Sequence, residues 1–181
     1  MPASPAHGIL FAKSPRMTIA SSTDVFFDQL KDLRSATGQT VKTLPDLIRW
    51  ATHAELREHL MAYSAATTAH LGQIHVIFEG HSANPGSDPC KAMAGLIDGG
   101  NTHLGMAADA TVRDHLLIAH CHRIGHYLEA AAAFTLGIAR KCALCPEADA
   151  LAGMVERHRD FTESLAGIGA NAFGLEMGGC P

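Results

Sequence analysis

A chain of 181 residues with 14 Lys and Arg, 18 Asp and Glu and a net charge of -4 has room for one domain with tails, and its core needs neither disulfides nor a structural metal. So few basic residues cannot build a strongly positive face, which argues against nucleic acid or any polyanion as a partner. No window holds the roughly 18 unbroken apolar residues of a bilayer span, because Glu129 and Arg140 interrupt the alanine-rich stretch, so a soluble protein without a membrane partner is expected.

The first 20 residues, MPASPAHGILFAKSPRMTIA, carry two basic residues and one short apolar run, so they read as a flexible leader rather than a secretory signal. Without an export signal, the odd number of cysteines, five, is expected to be reduced thiol in a cytoplasm. Ser21 to Asp24 offer N-caps, and Val25, Phe26, Leu30, Leu33, Val41 and Leu44 follow at helical spacing. This first helix should start near 23 and run, bent at Pro45, to about Ala51. Thr52 to Glu55 has capping-box spacing and opens a second helix that ends by Gly80. GHSANPGSDP cannot hold regular structure and reads as a crossover. A short helix is expected from Cys90 to Ile97, with GGN and the alanines leading on as linker.

Asp109 to Arg140 is the longest proline-free periodic stretch and reads as the third long helix, with Thr111 and Asp114 at capping-box spacing and a stripe of Leu117, Ile124, Leu128 and Ala131 facing the core. Pro146 and Glu147 suit the first turn of a fourth long helix, expected to end near Ala166. The boundaries that follow are a leader over 1–20, a bundle over 21–168 and a glycine-rich tail over 169–181. The fold class is all-α: a four-helix bundle with a long crossover between the second and third long helices and one short extra helix.

Several segments carry a resemblance, in order and spacing: QLKDLRSATGQTVKTLPDLIRWA, ELREHL, TTAHLGQIHVIFE, CKAMAGLI and RDHLLIAHCHRIGHY. Over roughly residues 23 to 166 the chain resembles the YciE/YciF-like ferritin-like proteins, bacterial cytosolic four-helix proteins linked to stress responses. The resemblance implies a ferritin-like bundle, commonly a homodimer, whose midsection can carry a two-metal carboxylate site. Here Thr37 stands where the family usually has Glu, Ser64, Ala65 and Ala66 replace an acidic run, Gly125 precedes His126, and His158 lies near an expected acid. A di-iron oxidase needs bridging carboxylates, so loss of these acids disfavours catalysis.

What remains inward is imidazole and hydroxyl. His158 lies seven residues from both Leu151 and Leu165, in the middle of an apolar stripe, and His70 lies seven after Tyr63 and four before Ile74. The two are candidate ligands of one transition-metal ion, Zn, Fe, Cu or Ni; the alternative is a pair of core histidines hydrogen-bonded by Thr37, Thr67 or Tyr63. His115, His122, His126 and Glu129 share a stripe opposite the apolar face, with His122 and His126 four residues apart. The resemblance fits the segment after Phe134 better with one extra residue inserted near here, a π-bulge that would rotate Glu129 inward as a third ligand. Otherwise His122 and His126 form a solvated or interfacial pair able to bind surface metal weakly. Cys142 and Cys145 form a lone CxxC, and a zinc knuckle would need two further ligands, for which only distant Cys180 or a His could serve. The expected function is a stress-associated, non-catalytic metal-binding bundle, with a metal-free dimeric scaffold as the alternative.

Overall fold

The computed structural model describes residues 18–177, and the expectations for the leader before residue 18 and for Cys180 fall outside them. Five helices follow in order: α1 (Ser22–Trp50), α2 (Ala54–Gly80), α3 (Lys91–Gly105), α4 (Ala110–Lys141) and α5 (Cys145–Phe173), with no strand among the described residues. The all-α bundle stands as expected. Helix α1 packs on α2 and α4, α5 packs on α4 and α2, and α3 lies against α1 and α4. The four long helices therefore close a square, with α3 as part of the crossover.

Ser21 caps α1 through a reciprocal bond with Asp24, and the helix continues through Pro45, which has no N–H to give the preceding turn. Two other helix starts differ from expectation. The N-cap of α4 is Asp109, whose Oδ1 accepts from Val112 N at 2.9 Å, so Thr111 and Asp114 form no capping box. Asp114 is buried and reaches across to α2. Its carboxylate accepts from Thr52 N at 2.9 Å, His53 N at 3.0 Å and Thr52 Oγ1 at 2.5 Å. The turn leading into α2 is thus held from another helix, while Thr52 and Glu55 make no box and the first turn of α2 has no side-chain cap. Charge-assisted bonds to backbone N–H groups are stronger than neutral ones, so this carboxylate fixes the α1–α2 turn firmly.

Helix α3 extends eight residues past Ile97, through Gly99 and Gly100, and its packing on α4 requires a glycine at position 100. A Cβ at Gly100 would lie 1.9 Å from His120 Nδ1, so the bare backbone of α3 is what lets that ring fit. Helix α5 runs past Ala166 to Phe173 and ends on Gly174 in the left-handed conformation, φ 66°. Phe173 packs edge-on against His53 and His115, which holds this last turn in place.

Candidate functional site

Tyr63, Thr67 and His70 project inward from α2, with His158 and Phe161 from α5, Cys121 from α4 and Thr37 from α1, all buried. Thr37 and Thr67 turn their hydroxyls back to donate to Leu33 O and Tyr63 O, at 2.7 and 2.8 Å. Tyr63 Oη lies 2.8 Å from His158 Nδ1, and the Tyr63 ring stacks on Phe161. The His70 and His158 rings meet edge to face with centroids 5.1 Å apart. Sequence spacing therefore placed both histidines correctly on the inner face.

Burial, and secondarily the charge His70 would carry, pushes His158 down to about 3. Burial and then Arg157 lower His70, while burial raises the Tyr63 phenol above its ordinary value and pushes the Cys121 thiol up to about 12. At neutral pH both imidazoles are neutral and the phenol keeps its proton. Assigning Tyr63 as donor to His158 Nδ1 leaves the ring hydrogen on Nε2. His70 Nδ1 is buried with no hydrogen-bond partner. A cavity of about 370 Å³ between α2 and α5, lined by His59, Tyr63, Ala66, Arg157 and Phe161 among others, brings solvent beside the Tyr63 ring.

This donor set does not fit a di-iron centre. Asp114 is the one buried acid among the described residues, and it is committed to the start of α2. No three His, Cys, Asp or Glu side chains among the described residues converge closely enough to hold one ion. Two imidazoles without a bridging carboxylate cannot neutralise two irons.

The other predicted residues lie elsewhere. Helix α4 is continuous α-helix through residue 141, with no π-turn, so Glu129 stays outside the interior; its Oε1 accepts from Arg159 Nε at 3.1 Å and its Oε2 lies 3.2 Å from His126 Nδ1. His122 Nε2 and His126 Nε2 are 3.3 Å apart on the same outer edge. Burial, then His126, lowers His122. The five candidates therefore form two separate groups, His70 with His158 inside and His122, His126 and Glu129 outside.

Sequence reasoning passed over His120. Its ring is 1% exposed against Gly100, and neither nitrogen has a partner. Burial, then Arg123 and His103, pushes it down to about 4. The available signal was its position three residues after Leu117 and four before Ile124, on the α4 core stripe, opposite a Gly-Gly pair. Cys142 and Cys145 are free thiols at the α4–α5 turn.

Residues 21–173 match the model of a family described as a domain of unknown function, DUF892. The chain belongs to this family. Protein YciF of Escherichia coli strain K12 is 30% identical over 112 residues, which cover 61% of this chain and 68% of that protein. The crystal structure of the E. coli stress protein YciF superposes with a TM-score of 0.81 at 25% identity, covering 86% of this chain and 99% of that one. YcfI from Rhodopseudomonas palustris superposes with a TM-score of 0.79 at 23% identity, covering 85% and 97%. The chain is thus a YciF-like helical bundle, and no helix among its described residues is long and apolar enough to cross a membrane.

Proposed function

We propose that this chain is a non-catalytic stress-associated protein that holds a single nitrogen-preferring transition-metal ion, Zn, Fe, Cu or Ni, between α2 and α5. The observation that carries the reading is His70 Nδ1, buried without a partner beside a second neutral imidazole. An unpaired buried nitrogen costs about 1–3 kcal/mol, and an ion ligated there would relieve it. Neutral imidazole suits these metals, and the lack of acids removes the means of oxygen activation, so the role is retention rather than turnover. We place it in the cytoplasm as a homodimer without nucleic-acid partners. Its similarity to YciF supports the stress role, and the exposed Met61 and Val76 on the outer face of α2 support self-association.

The test is elemental analysis of untagged protein produced with all four metals supplied, in a His122→Ala/His126→Ala background that silences the surface pair. About one ion per chain, lost on His70→Ala, is the expected result. A metal-free protein whose melting temperature ignores added metal would leave the second reading, a metal-free dimeric scaffold. The Tyr63 to His158 hydrogen bond favours that alternative, because it already satisfies one of the two rings.

A further inference from the structure

On the outer edge of α4, four side chains from two helices form an ordered chain of contacts that the interior reading does not use. Arg159 Nε on α5 donates to Glu129 Oε1 at 3.1 Å, Glu129 Oε2 lies 3.2 Å from His126 Nδ1, and His126 Nε2 lies 3.3 Å from His122 Nε2. We propose that His122 and His126 chelate one divalent late transition-metal ion at the surface, with Glu129 as the positioning residue for His126 and Arg159 as the anchor of Glu129.

Helical spacing of four puts both rings on one face, and the pair is already converged. Two nitrogens bound to one tetrahedral zinc at about 2.0–2.1 Å stand about 3.3 Å apart, the separation seen here without an ion. Taking the Glu129 carboxylate as the acceptor assigns the tautomers. A carboxylate at Nδ1 accepts the ring hydrogen of His126 and leaves a lone pair on Nε2, aimed at His122. This is the arrangement by which an outer carboxylate fixes the tautomer of a metal-bound histidine. In the metal-free chain His122 Nε2–H fills the gap by donating to His126. On binding, the ion takes the place of that hydrogen, which shifts to His122 Nδ1 as the ring changes tautomer.

The site is open where it must be. The His126 side chain is 52% exposed, so water can complete the coordination shell, while Glu129 is 18% exposed and shielded enough to hold its orientation. Two protein ligands select for affinity order, with Cu²⁺ ahead of Ni²⁺ and Zn²⁺, rather than for geometry.

The experiment is calorimetric titration of the folded full chain with Zn²⁺, Ni²⁺ and Cu²⁺, both unsubstituted and carrying His70→Ala. The surface site is expected to bind one ion per chain in either background, so its outcome is independent of the interior reading. His122→Ala and His126→Ala should each abolish that binding, and His115→Ala, on the same stripe, should leave it unchanged. Glu129→Gln should weaken it about ten-fold without changing the stoichiometry. In the His70→Ala background, binding that survives either histidine substitution at full affinity would overturn the site. An unaltered affinity in Glu129→Gln would overturn the positioning role.

Discussion

The His70 and His158 rings meet at 5.1 Å inside the bundle, and the His122 and His126 rings meet at 4.4 Å on its outer edge. Residue type and spacing are alike, yet the two pairs answer to different forces. Inside, burial dominates: it keeps both rings neutral, and Tyr63 is the hydrogen-bond partner of His158. Outside, an ion-paired carboxylate supplies the orientation, and solvent is within reach. The lesson is that a histidine pair becomes a core element or a chelate according to what faces its second nitrogen.

Acid should separate the pairs most strongly. A folded-state value near 3 for His158, below the ordinary 6.5, means that the folded chain binds fewer protons than the unfolded chain between those values. Stability is therefore complete above pH 6.5 and is lost as pH falls toward 3, by on the order of 4–5 kcal/mol from this residue. His120 adds a loss with the same sign down to about 4. NMR titration of the ring protons is the direct check; a His158 resonance moving near pH 6.5 would refute interior control.

Next in size is His158→Ala. It removes a buried ring and strands the Tyr63 hydroxyl, and should lower stability by about 3 kcal/mol, or roughly 10 °C in melting temperature. Gly100→Ala should follow at about 2 kcal/mol, because the new methyl meets the His120 ring 1.9 Å away. Combining it with His120→Ala should recover part of that loss in a double-mutant cycle; strict additivity would show that the contact is not the cause. Smallest are His122→Ala and His126→Ala, each expected within about 0.5 kcal/mol in metal-free protein by urea denaturation. A larger loss would make the outer pair structural as well.

The interior pair was legible because burial follows from period alone: seven-residue spacing from leucines placed His158, and the same count placed His70. The outer face of Glu129 also follows from simple phase, and only the supposed bulge would have reversed it. What could not be read were contacts between distant helices. The Gly-Gly pair looked like linker because the reason for it, the His120 ring, lies on another helix. The glycines near the C-terminus looked like a tail because the packing of Phe173 on His53 and His115 is equally remote. Local rules priced these segments as weak helix, and tertiary packing overrode them.

The Asp114 carboxylate ties the two halves of the bundle together. The turn after α1 is closed by a side chain 62 residues downstream of Thr52, so the N-terminal hairpin holds no acceptor of its own for these amides. In the folded chain the amides of Thr52 and His53 take their acceptor from α4, so the turn of the N-terminal hairpin and the seating of α4 depend on each other.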